Sequence, residues 1–122
     1  MQVKLRRTCV ACPNYAITLM GDGTLIYEGG DLALVPGMRK MYVDAMTASA
    51  IFDHFVNSEF LELSNTYPSP GPDRMTTSLS LEMPGLSKAI LSEDGYGPTL
   101  LQALEHRMDD LPGMRALSGW TH

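Results

Sequence analysis

Three features of the 122-residue sequence predict an α+β fold, an antiparallel sheet of two or more hairpins with two helices packed on one face. Residues 75–83 carry the cleanest two-residue alternation in the chain, the period of a half-buried strand. Asp22-Gly23 separates two strand-like runs, and both residues tolerate the positive φ of a tight hairpin turn. Two later stretches instead carry apolar residues at helical spacing.

Taken in chain order, the first predicted strand has Tyr15, Ile17 and Leu19 alternating with Ala16, Thr18 and Met20. After the Asp22-Gly23 turn, Thr24 to Glu28 forms its partner, ending at Gly29-Gly30. A second hairpin is predicted to bend at Pro36-Gly37, between residues 32–35 and 39–43. Thr47 is the expected cap of the first helix, whose stripe is Ala48, Ile51, Phe52, Phe55 and Val56 and whose end falls near Asn57-Ser58. Phe60, Leu61 and Leu63 should pin the next segment to the core. Pro68, Pro70, Gly71 and Pro72 make residues 64–74 a loop.

Then comes the alternating strand, with Met75, Thr77, Leu79, Leu81 and Met83 on one face. Pro84-Gly85 turns the chain and residues 87–92 return beside it. Pro98 suits the first turn of a last helix, where its missing N–H costs nothing. Leu100, Leu101, Leu104, Met108 and Leu111 form the buried stripe of that helix, and Pro112-Gly113 stops it. Residues 1–112 are thus read as one domain and 113–122 as a C-terminal tail. The side chains expected to be most deeply buried are Phe52, Phe55, Leu79, Leu81, Leu101 and Leu104.

Hydrophobic residues are 44% of the chain and charged residues 19%, a composition that excludes intrinsic disorder. A net charge of -5 argues against nucleic-acid binding, which needs a basic surface. Apolar runs are only a few residues long, so no membrane span is expected. The first seven residues show no apolar stretch after their basic residues, so the expected compartment is the cytoplasm, with an exported protein that has lost its signal as the alternative.

The sharpest chemical feature is the pair Cys9 and Cys12. C-x-x-C spacing brings two sulfurs within disulfide reach, but a thioredoxin-like site puts the pair at a helix N-terminus, whereas this pair precedes a strand. Two thiolates are half of a tetrahedral zinc shell, and His54, His106 and His122 are the only histidines that could complete it. Pro13 directly after Cys12 excludes haem attachment. The competing structural reading is a loop pair, reduced or bridged, that shapes the entry into the first hairpin.

His54 beside Asp53 and His106 beside Glu105 lack a second catalytic group at readable spacing and are read as surface or boundary histidines. Glu93-Asp94 and Asp109-Asp110 are read as solvated acidic pairs, since no calcium-loop spacing occurs. Phosphate-loop, dinucleotide and nucleophile-elbow motifs are missing. No enzyme and no cofactor are therefore expected. Of the nine methionines, Met41, Met75, Met83 and Met108 fall on core stripes, whereas Met20, Met38, Met46 and Met114 divide between core and interface. The resulting expectation is a non-catalytic protein-binding domain, an accessory part of a larger assembly. Its partner-binding residues would be Met114, Leu117 and Trp120 of the tail, with Trp120 as anchor. The alternative is a metal-binding or thiol-redox module built on Cys9 and Cys12.

Four blocks also carry a family resemblance. Residues 9–15 give a C-x-x-C-P-x-Y opening, and residues 22–29 a DG-x-x-x-Y-x-G hairpin. Asp73 followed by Thr76-Thr77 is a third block, and residues 97–104 ending at Met108-Asp109 a fourth. Together they span residues 8–111, and the chain resembles the bacterial family catalogued as domain of unknown function 6438. The resemblance implies a small domain covering nearly the whole chain and assigns it no activity.

Overall fold

The computed structural model describes residues 1–72 and 75–121. Its strands are β1 (Gln2–Cys9), β2 (Tyr15–Met20), β3 (Thr24–Gly29), β4 (Gly37–Tyr42), β5 (Thr66–Tyr67), β6 (Met75–Met83) and β7 (Leu86–Glu93). The helices are α1 (Ala45–Asn57), α2 (Thr99–Asp109) and the short α3 (Met114–Ser118), and a 3-10 turn spans Glu59–Glu62. All seven strands form one sheet in the order β4-β3-β2-β1-β6-β7-β5. Every neighbour is antiparallel except β5, which runs parallel to β7. The predicted α+β class is therefore the observed one.

One face of the sheet carries the core. Val3 and Leu5 of β1, Ile17 and Leu19 of β2, Leu79 and Leu81 of β6 and Ile90 of β7 meet Phe52 and Phe55 of α1 and Leu101, Leu104 and Met108 of α2. All six side chains expected to be deeply buried are buried. Phe60 of the 3-10 turn packs edge-on against Phe55, with ring centroids 5.1 Å apart. The opposite face carries Lys4, Arg6, Ser78 and Ser80, with only the small Ala16 and Thr18 buried on it among the β1 and β2 residues. An ion pair at 3.8 Å joins Arg6 to Glu28 across it.

Four expectations need correction. The centre of the sheet is β1, whose alternation of Val3, Leu5 and Arg7 was not read as a strand. Residues 32–35 form a loop and not a strand: Leu32 sits at φ +64°, and the N–H groups of Leu34 and Val35 donate to Ser118 and Leu117 carbonyls at 3.3 and 2.9 Å. Strand β4 pairs with β3 alone. The cap of α1 is Asp44, whose carboxylate accepts from the N–H of Thr47 at 2.7 Å, so Thr47 lies in the first turn and Val56 is exposed off the stripe. Finally, the core does not close before Gly113, because Met114 and Trp120 belong to it.

Candidate functional site

The chemistry of this chain concentrates at the end of β1, where Arg7 points into the core face. The residue is 3% exposed, and each side-chain nitrogen has a partner. Nε donates to the Tyr15 hydroxyl at 2.9 Å, Nη1 to Thr77 Oγ1 at 3.0 Å and Nη2 to Asp109 Oδ2 at 2.8 Å. Glu105, one turn before Asp109 on α2, brings Oε1 within 3.6 Å of Nη1. The Tyr15 hydroxyl donates in turn to Asp109 Oδ1. Trp120 closes the cluster, with the guanidinium carbon 4.2 Å from the centre of its ring. Cation–π contact of this kind is strongest when water is excluded, as here.

Burial opposes the Arg7 charge, but Tyr15, Asp109 and Glu105 together outweigh it and raise the guanidinium pKa. Burial holds the Tyr15 phenol well above its usual range, with the Asp109 charge adding to the effect and Arg7 opposing it. Burial also raises the Glu105 carboxyl, against the pull of Arg7. Tyr15 and Arg7 thus keep their protons throughout the neutral range, leaving Glu105 as the group of this cluster whose protonation is shifted toward it. Glu105 lines a cavity of about 250 Å³ with Arg7, Met75, Gly95, Gln102, His106 and Trp120.

The cysteine loop lies beside this cluster. Cys9 and Cys12 are joined in a disulfide, with Cα atoms 5.4 Å apart. Asn14 fastens the loop: its Oδ1 accepts from the Cys9 N–H at 2.8 Å, and its Nδ2 donates to the Cys9, Cys12 and Asp31 carbonyls at 2.9 to 3.1 Å. The helix that would lower a thiol pKa is not here; Tyr15 enters strand β2 directly. Among the described residues no group of three or more His, Cys, Asp or Glu side chains could hold a metal ion. His54 and His106 are exposed, and His122 lies outside the described residues.

The tail departs most from expectation. Met114 is fully buried and Trp120 is 6% exposed, while Leu117 is half-buried against the core. These positions face their own domain, so they are not a free anchor surface. The indole packs over Arg7 and Tyr15, with the Tyr15 and Trp120 ring centroids 6.2 Å apart. Asp109, read as solvated, is also buried, because Arg7 reaches it across the core.

A second feature lies at the sheet edge. Leu32, Leu34, Met38, Tyr42 and Met46 are all exposed, Met38 at 64% and Tyr42 at 71%. Met38, Lys40 and Tyr42 share the open face of the sheet, and the Lys40 ammonium stands 5.7 Å from the centre of the Tyr42 ring. This surface was signalled only by the unassigned methionines Met38 and Met46.

Tyr15, Tyr27, Thr77 and Asp109 each come from a different one of the four blocks that carry the resemblance, and three of them meet at Arg7. The fourth, Tyr27, ties the hairpin to the tail by donating to the Val35 and Leu117 carbonyls at 2.8 and 3.0 Å. Asp73 lies outside the described residues. The family model of the domain of unknown function DUF6438 matches residues 2–112. The chain belongs to this family. No curated protein matches it significantly. The matched DUF6438 region ends just before α3, so the segment that supplies Met114 and Trp120 to the core lies beyond it. Among the described residues no helix is long and apolar enough to cross a membrane.

Proposed function

We propose that this DUF6438 domain is a non-catalytic protein-binding domain, an accessory part of a larger assembly, and that its contact surface is the sheet edge at β4. The observation that carries this reading is the row of exposed apolar side chains between residues 32 and 46. An unpaired strand bordered by apolar groups is a template for adding a strand from another protein. The Arg7 cluster supports a non-catalytic reading, since its donors and acceptors are engaged with one another. A photocrosslinking amino acid placed at position 38 in the native host tests the proposal, with position 87 on the exposed part of β7 as control. A discrete adduct at 38 and none at 87 is the expected result. Equal labelling at both positions, or none at 38, would refute it.

The disulfide favours a second reading, a thiol-redox module in which Cys9 and Cys12 cycle between bridged and dithiol forms. Exposed Val10 and Ala11 leave the loop accessible to a reductant. Equilibration in thiol buffers followed by thiol trapping tests it. A reduction potential above about -300 mV supports cycling, whereas a lower one marks a structural bridge.

A further inference from the structure

The backbone of β4 presents alternate residues to solvent. The Val43 N–H donates to the Gly23 carbonyl at 2.9 Å, and the β3–β4 register then bonds Met41 to Leu25 and Arg39 to Tyr27. Met38, Lys40 and Tyr42 therefore direct their N–H and C=O groups away from β3, toward the open edge. Their side chains lie on the uncovered face, while Arg39 and Met41 lie on the helix-covered side. Arg39 and Lys40 are adjacent cations on this strand, in a chain of net charge -5. Among the described residues neither forms an ion pair, although Arg39 Nη1 donates to the Met38 carbonyl at 3.0 Å and Asp22 feels the Lys40 charge.

Building on the edge-binding reading, we infer that β4 accepts an antiparallel strand from a different protein, one with two consecutive acidic residues flanked by apolar ones. Read from its N-terminus, the incoming strand passes Tyr42, Met41, Lys40, Arg39 and Met38 in turn. Its complementary pattern is apolar, apolar, acidic, acidic, apolar. Opposite charges and apolar pairs directly across a ladder stabilise it, and like charges destabilise it. The same rule disfavours a second copy of this chain. Antiparallel pairing of residues 38–42 with the same residues of a second copy places Lys40 against Lys40, and a shift of one register step toward Gly37 places Arg39 against Arg39. A shift the other way leaves few strand residues paired before Asp44 and α1 begin.

The test is an amide NMR titration of the whole chain with three synthetic peptides, Thr-Val-Val-Glu-Glu-Val-Thr and its Thr-Thr and Lys-Lys versions at the two central acids. The acidic peptide is expected to shift the amides of Met38, Lys40 and Tyr42 and to bind about tenfold tighter than the Thr-Thr peptide, an advantage that shrinks at high salt. In the double variant Arg39→Glu, Lys40→Glu the order should invert, the Lys-Lys peptide becoming the best ligand. Equal affinity for the acidic and Thr-Thr peptides at β4 would overturn the acidic partner while leaving the edge reading intact. If no peptide shifts β4 amides, both fail. Concentration-dependent dimerisation abolished by Met38→Lys would show that the edge serves a second copy, and would overturn the inference.

Discussion

Replacing Asp109 with alanine isolates the energetics at the centre of the molecule. The substitution removes the carboxylate 2.8 Å from Arg7 Nη2 and the acceptor of the Tyr15 hydroxyl, and it leaves a guanidinium at 3% exposure. Breaking a buried ion pair by deleting one partner costs about 3–5 kcal/mol, because the remaining charge stays desolvated. Glu105, 3.6 Å from Nη1, softens the loss by remaining as a counter-charge. The expected cost is therefore about 3 kcal/mol, the lower end of that range. For a domain of this size the fall in Tm is roughly 12 °C. Urea unfolding followed by far-UV circular dichroism measures it, with the slope m as a check on the denatured state. Asp110→Ala is the control, since that carboxylate is exposed and its pair with Arg115 should contribute under about 1 kcal/mol. A loss below about 1 kcal/mol for Asp109→Ala at unchanged m would refute the argument that Arg7 depends on this partner.

Truncation after Gly113 removes Met114 and Trp120 from the core and should lower the melting temperature sharply; an unchanged value by calorimetry would return the tail to the surface. Gly29→Ala should fold poorly, because the new Cβ would lie 2.1 Å from the Val35 carbonyl oxygen and 2.6 Å from the Tyr27 hydroxyl; wild-type expression and Tm would contradict this. The raised pKa of Glu105 means that the folded state holds its proton more tightly than the unfolded chain, so this carboxyl erodes stability as pH rises from its ordinary value of 4.5 through the higher folded value. Glu105→Gln should flatten that part of the stability-versus-pH curve measured by urea titration, and an unchanged slope would count against it.

The strands with strict alternation were legible because every inward position in them is apolar or small. Residues 75–83 and the hairpin at Asp22-Gly23 formed as expected, and so did the stripes of α1, apart from the exposed Val56, and of α2, whose Leu111 falls just past the helix end. Strand β1 was hidden because its third inward residue is arginine, and a local pattern cannot show that carboxylates from α2, roughly a hundred positions later, will accept it. Asp109 was misread for the same reason. Trp120 shows the complementary failure: helix-stopping Pro112-Gly113 marks where α2 ends, not where the core ends. Leu32 to Val35 look like a strand by composition, yet the Leu34 and Val35 N–H groups bond to α3 carbonyls and the Ala33 N–H closes a turn onto Gly30.

These long-range contacts also bear on how the edge could bind. The loop between β3 and β4 is held at its start by Asn14, which donates through Nδ2 to the Asp31 carbonyl and accepts at its own carbonyl from the Gly30 N–H at 2.8 Å. Its end is held by the Val35 N–H on Leu117 and by the Tyr27 hydroxyl on Val35. Leu32 and Leu34 are thus displayed on a fixed backbone despite their exposure, and Leu34 lies close against Gly119. A surface ordered before contact avoids part of the entropic cost of association, so its apolar area counts more toward affinity. The disulfide loop reaches the same segment through Asn14, which bonds both cysteine carbonyls and Asp31. Reducing Cys9–Cys12 should therefore loosen Gly30 and Asp31 before it disturbs the Arg7 cluster. Hydrogen exchange of the Gly30 and Ala33 amides, compared with core amides such as Leu79 before and after reduction, measures this. Equal acceleration at both places would mean that the disulfide supports the whole fold and not the binding loop.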